Sequence, residues 1–159
     1  MSFDTRAGTR GTRSRGSGGQ VSRWVQQRMM RQHRRKGGKF MGMDVLFMTT
    51  VGAVSGERRV TPVAWFPDGP DAWLIVASAA GAAKNPQWYR NLAAHPDQVW
   101  IELPKEDVTL SVTAEQLDRP RREQAWQGII KAQPRYAKYQ SKTDRVLPVI
   151  RLVPAGAQP

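Results

Sequence analysis

Residues 78–92, SAAGAAKNPQWYRNL, hold the densest set of side chains and spacings with chemical potential in this chain. An apolar run, residues 73–77, reads as a buried strand, and small residues 79–83 follow it. Asn85-Pro86 then reads as a helix start, with Asn as N-cap and Pro in the first position, where its missing N–H costs nothing. A strand, a loop of minimal side chains and a helix N-terminus let a flat or anionic ligand come close to backbone N–H groups. Other chemistries have less material. There is no cysteine, so neither a thiol nucleophile nor a disulfide framework is available. His33 and His95 are the only histidines, which disfavours a zinc site, and no metal ligand set is expected.

The elements that must position this segment follow from patterning. Residues 44–51, 58–66, 72–78, 98–103, 108–117 and 146–153 read as strands, with Pro62 marking an edge or a bulge in the second. The 67–71 connection is short and rich in Pro, Gly and Asp, so the second and third strands are expected to form a hairpin. Residues 86–95, 119–132 and 134–141 read as helices. Asp118 is the N-cap of the middle one, and Trp126, Ile129 and Ile130 form its inner face. The fold class is therefore mainly β with inserted helices (α+β), a sheet curled into a small barrel. Neither GxGxxG nor GxxxxGK[ST] occurs, which disfavours Rossmann and P-loop folds.

The 159 residues suit one domain. The net charge of +12 is unevenly placed. Residues 1–39 hold eleven Lys/Arg and one acid, a net +10, whereas residues 40–159 hold fourteen Lys/Arg and twelve acids, a net +2. Four segments are expected: a disordered basic tail (1–20), a basic amphipathic helix (21–38), the barrel domain (39–154) and a short tail (155–159). The arm, residues 1–39, suits an anionic membrane surface, with Trp24 and Met29 on the apolar face of its helix. No apolar run is long enough to cross a bilayer, and no secretory h-region is present. The expected location is cytoplasmic, peripheral at the inner face of the plasma membrane. The near-neutral body makes nucleic acid an unlikely partner. Oligomeric state is not legible.

Several short motifs in order then carry a resemblance. They are residues 46–50 followed by Gly52 and Ser55-Gly56; Arg59 and Pro62; Ala77-Ser78, Gly81 and Asn85-Pro86; Trp88-Tyr89 and Asn91-Leu92; and finally Pro134, Tyr136, Tyr139-Gln140, Thr143-Asp144-Arg145 and Pro148. Over residues 21–154 the chain resembles the deazaflavin-dependent nitroreductase family, actinobacterial proteins that use coenzyme F420. The resemblance implies a split β-barrel, FMN-binding-like, with the deazaflavin beside the Pro62 strand and the Ser78 loop. It implies cofactor contacts from Ser55, Gly56, Arg58, Arg59, Pro62, Ala77, Ser78, Ala79, Lys84, Asn85, Pro86, Trp88 and Tyr89. Ser78, Tyr136 and Tyr139 are the implied catalytic residues, in hydride transfer to a quinone, enone or nitroaromatic acceptor. FMN or a bound lipid is the alternative ligand. The family's cations are absent at Ala53, Val54 and Ala79, which leaves a second reading: a membrane-associated lipid or fatty-acid binder that has lost productive F420 binding.

Overall fold

The computed structural model describes residues 3–12, 39–40 and 42–156. The expected amphipathic helix at 21–38 lies outside the described residues. The body is an antiparallel sheet with three helices and one 3-10 turn. Its strands are β1 (Lys39–Phe40), β2 (Met43–Val51), β3 (Arg58–Ala64), β4 (Phe66–Pro67), β5 (Trp73–Val76), β6 (Val99–Leu103), β7 (Val108–Gln116) and β8 (Val149–Pro154). They run in the order β1-β2-β6-β7-β8-β5-β4, with β3 pairing to β2. The helices are α1 (Gln87–Ala94), α2 (Arg119–Ala132) and α3 (Arg135–Ser141).

Strand alternation explains the core. Val99, Ile101 and Leu103 of β6 are buried while Trp100 and Glu102 are half-buried, the pattern of a sheet with one face turned inward. Leu46, Met48, Ile75, Ile101, Val112, Ile150 and Leu152 meet inside the barrel, and Leu92 of α1 closes one end. A second cluster forms where Trp126 and Ile129 of α2 and Tyr136 of α3 cover Leu74, Val76 and Val149. Asp118 caps α2 by accepting from the Arg121 amide at 3.1 Å, as its side-chain type predicts.

Three sequence expectations are corrected. The 58–66 and 72–78 strands do not pair along their length. β3 pairs with β2 over seven residues, and only Phe66 and Pro67 reach β5. β3 is thus an edge strand, which accommodates Pro62 opposite Phe47 without losing a ladder bond on its free side. Asn85 is not the N-cap of α1; Pro86 holds that position, and the Asn85 side chain bonds elsewhere.

The third correction concerns the tail. Residues 3–12 are not a disordered arm: they lie along the body as a strap. Phe3 packs edge-on against Tyr89 at 5.6 Å. The Gly8 amide donates to the Ala83 carbonyl at 2.7 Å and the Thr12 amide to the Gly81 carbonyl at 2.9 Å, forming a parallel bridge between Thr12 and Ala82. Glycine is needed here for approach. A Cβ on Gly11 would lie 2.4 Å from the Ala83 nitrogen and 2.7 Å from the Gly81 oxygen, both backbone atoms. Gly11→Val should therefore lift the strap while leaving the barrel folded. Limited trypsin digestion checks this: cleavage after Arg6 and Arg10 should accelerate, and an unchanged rate would contradict the packing.

Candidate active site

The 78–85 loop leaves β5 and enters α1 through an unusual backbone. Ser78 is right-handed, Ala79 (φ 45°) and Ala80 (φ 54°) are left-handed, and Gly81 follows at φ 84°. Each left-handed alanine costs about 1–2 kcal/mol. The loop is held in this shape by donors that take its carbonyls. Arg145 donates from Nη1 to the Ala77 oxygen (2.8 Å), from Nη2 to Ser78 (3.0 Å), and from Nε and Nη2 to Ala82 (3.2 and 2.9 Å). The strap takes Ala80, Gly81 and Ala83. The Ala82 amide takes Ala79.

The loop also adjoins α3. A Cβ on Gly81 would lie 2.6 Å from the Tyr139 carbonyl oxygen, so loop and helix are in direct contact. α3 brings an aromatic cluster to this side: Phe66 and Tyr136 meet edge-on at 5.6 Å, and Tyr136 meets Tyr139 at 5.5 Å. Gln140 fixes α3 in place. It donates to the Arg145 carbonyl (2.7 Å) and accepts from the Leu147 amide (2.9 Å) and from Arg122 (3.1 Å).

The sequence-expected residues divide into those brought together and those kept apart. Ala77, Ser78, Ala79, Lys84, Asn85 and Pro86 belong to one continuous loop, with Lys84 exposed. Arg59 points to the side of β3 that it shares with Thr50, to which Asn91 of α1 is bonded at 3.1 Å. Arg58 and Pro62 occupy the other face, where Arg58 stacks on Trp100 at 4.4 Å. Period-two alternation therefore projects Arg58 and Arg59 from opposite faces of β3. Arg59 pairs instead with Glu57 at 3.3 Å, an exposed pair of small energetic weight. Ser55 and Gly56 form the β2–β3 turn: the Ser55 hydroxyl accepts from the Glu57 amide at 3.1 Å, and Gly56 takes φ 70°. Asn91 ties that turn to α1 by accepting from the Ala53 amide at 3.0 Å. Trp88 is half-buried against the core. Tyr89 is buried. It is 4% exposed, and its hydroxyl donates to Gln116 and accepts from the Thr5 amide. Burial pushes its pKa up.

Of the implied catalytic residues, Ser78 makes no capping bond with its side chain, and Tyr139 is half-buried. Tyr136 is 6% exposed, and its hydroxyl meets the Met43 sulfur at 3.8 Å. Burial raises the Tyr136 pKa to about 12. The neutral form is the stabilised one. The stabilisation is complete below pH 10 and is lost as pH rises through 12, a shift of about 2 units or roughly 3 kcal/mol. Thermal melts between pH 9 and about pH 12 should thus fall more steeply for the unaltered protein than for Tyr136→Phe. Parallel curves would contradict the assignment.

Sequence reasoning gave no role to Arg145, to Asp144 or to the strap. Asp144 accepts from the Thr9 amide (2.8 Å), the Thr9 hydroxyl and the Arg10 amide (3.1 Å). These bonds hold its pKa down to about 2, the Thr9 hydroxyl contributing most. This anchor of the strap is complete above the usual carboxylate range and is lost as pH falls through 2. Cavities of about 510 Å³ and 460 Å³ flank α2, with Arg121 lining both, and neither is lined by the 78–85 loop. Among the described residues no group of His, Asp or Glu is arranged to hold a metal.

A curled antiparallel sheet left open at the β3 edge, with a helix packed on its core, defines a split-barrel protein. The heme storage protein HutZ of Vibrio cholerae shares this fold at 14% identity, with a TM-score of 0.55 over 82% of this chain and 90% of that one. The model of the F420H(2)-dependent quinone reductase family matches residues 21–154, and the chain belongs to that family. It is 38% identical to an F420H(2)-dependent quinone reductase of Mycobacterium tuberculosis (strain ATCC 25618 / H37Rv), over 67% of this chain and 71% of the relative. Its structure is similar to that of an F420-H2 dependent reductase, FDR-A (TM-score 0.60, 36% identity, 68% of this chain and 92% of that one). A domain-swapped dimer at 32% identity gives a TM-score of 0.61 over 82% of this chain and 97% of that one.

Proposed function

We propose that this protein is an F420H2-dependent reductase that passes a hydride to a quinone or to another flat electrophile such as an enone or nitroarene. The observation that carries the reading is the contact of the 78–85 loop with the aromatic helix α3 at Gly81; in this reading the loop is the cofactor side and the helix the acceptor side. The residues fit a deazaflavin with an anionic tail: the loop offers small side chains with their carbonyls tied back and carries the exposed Lys84, and Arg59 shares its face of the sheet with Thr50, which bonds Asn91 of α1. When bound, the reduced deazaflavin supplies the hydride, and with a proton the quinone becomes a hydroquinone.

The chain's own groups do the rest. Loop residues 77–86 hold and orient the cofactor. Tyr136, Tyr139 and Phe66 form an apolar wall against which a planar acceptor packs and from which water is excluded. The hydroxyls of Ser78 and Tyr139 polarise the acceptor oxygen. The Tyr136 hydroxyl joins them only by leaving Met43, so Tyr136→Phe should lower turnover and leave cofactor affinity unchanged. The protein is mixed with reduced F420 and menadione, and the return of deazaflavin absorbance is followed. Protein-dependent oxidation that saturates with quinone supports the reading; a rate equal to the protein-free control contradicts it.

Residues 13–38 retain a proposed role at an anionic membrane surface, whereas residues 3–12 are committed to the body. No helix among the described residues is long and apolar enough to cross a membrane. Co-sedimentation of the full chain with anionic vesicles, lost at high salt, is the expected result.

A further inference from the structure

Arg145 is 2% exposed, and no carboxylate pairs with it among the described residues. Its acceptors are three carbonyl oxygens and the side-chain oxygen of Asn85 at 2.7 Å, all neutral. The neighbouring acid, Asp144, is turned outward and committed to Thr9 and Arg10 of the strap. A full positive charge is therefore buried directly beneath the 78–85 loop. Burial lowers its pKa, but an arginine stays ionised in any protein. An unpaired buried charge is expensive, and a structural clamp would be cheaper with a neutral donor or with an acid beside it.

The loop itself has an arrangement that matches. Every carbonyl from Ala77 to Ala83 accepts from Arg145, from the strap or from within the loop. The negative ends of these peptides are thereby neutralised. The positions where the family resemblance led us to expect cations, Ala53, Val54 and Ala79, carry none.

We propose that Arg145 is a positioning residue of the cofactor loop that also supplies, from behind it, the positive charge an anionic ligand tail requires. The inference rests on the deazaflavin reading above and names the part of that ligand it concerns, the phosphodiester and carboxylate tail. The guanidinium touches the loop and acts on the ligand through it. In a site of low dielectric its field reaches across one layer of backbone with little screening.

Two substitutions separate charge from shape. Arg145→Gln keeps an amide donor for the carbonyls and removes the charge. Arg145→Lys keeps the charge and loses the planar fork. Each full-length protein, checked for folding by its thermal melt, is titrated with F420 and with the deazaflavin fragment that ends at its ribityl chain and carries no anionic group. Arg145→Gln should weaken F420 on the order of ten-fold more than it weakens the fragment, and Arg145→Lys should recover most of that difference. If neither variant folds, the unaltered protein decides: part of its preference for F420 over the fragment should persist at high salt, where exposed Arg59 and Lys84 are screened and the buried guanidinium is not. Equal weakening of both ligands, or a preference abolished by salt, overturns the charge role and leaves the deazaflavin reading standing. Failure of the unaltered protein to bind either ligand overturns both.

Discussion

Trp126→Ala should destabilise the protein by about 3–5 kcal/mol, the range for removing a buried aromatic from a packed core. Trp126 is 6% exposed and forms the centre of the contact between α2 and the β5–β8 edge of the sheet. It also covers the Arg122 guanidinium, 4.3 Å from the ring centroid. Arg122 is itself 6% exposed, and its Nε donates to the Leu147 carbonyl at 3.2 Å. Removing the indole thus opens a cavity and strips one face from a buried cation. Arg122 holds Gln140, and Gln140 holds both Arg145 and Leu147, so the damage should spread toward the loop. Urea unfolding followed by intrinsic fluorescence measures the loss. A change below about 1 kcal/mol would mean that α2 is not docked as described.

Gly81→Val should have the largest effect on ligand binding. Two separate penalties meet at this residue. Its φ of 84° lies where a β-branched residue is strained, and its Cβ would press within 2.6 Å of the Tyr139 oxygen and 3.1 Å of the Lys142 Cβ. About 2–3 kcal/mol of stability should be lost. The relief available is to move the loop off α3, which separates the proposed cofactor loop from the acceptor wall. F420 affinity should fall at least about ten-fold, the equivalent of 1.4 kcal/mol in loop displacement. Gly69→Ala is the control. Gly69 has a comparable φ of 72° with open space around the missing Cβ. It should cost about 1 kcal/mol and leave the F420 affinity unchanged. Equal effects of the two substitutions on binding would show that the Gly81 contact does not matter to the site.

Local pattern in the sequence recovered the strands, α2 with its Asp118 cap, and the edge character of the strand that carries Pro62. These features depend on residues near one another in the chain. The partner of β3 was misread because the 67–71 turn chemistry is sound: it does close a hairpin, but only between Phe66-Pro67 and β5. Trp65 interrupts the run, and its amide returns to the Asp44 carbonyl at 3.1 Å, directing the strand before it onto β2. Asn85 carries good cap chemistry, yet Arg145 and Thr5 compete for its side chain, and those partners lie 60 and 80 residues away.

The strap was missed for a compositional reason. Phe3 is the one large apolar side chain in residues 3–12, and the other anchors are backbone amides and hydroxyls meeting loop carbonyls and Asp144. Such bonds leave no hydrophobic period to read. Arg145, placed after Asp144, resembles half of a solvated pair; only the fold turns one of them in and the other out. The family resemblance implies both Arg58 and Arg59 as cofactor contacts, and adjacency in a strand puts them on opposite faces.

The measurement closest to the central claim is a fluorescence titration of the full-length protein with F420, run beside FMN. The account predicts saturable one-to-one binding in the micromolar range, weakened by Gly81→Val and matched by no comparable FMN affinity. Absence of saturable F420 binding to a folded protein, or tighter binding of FMN, would contradict it.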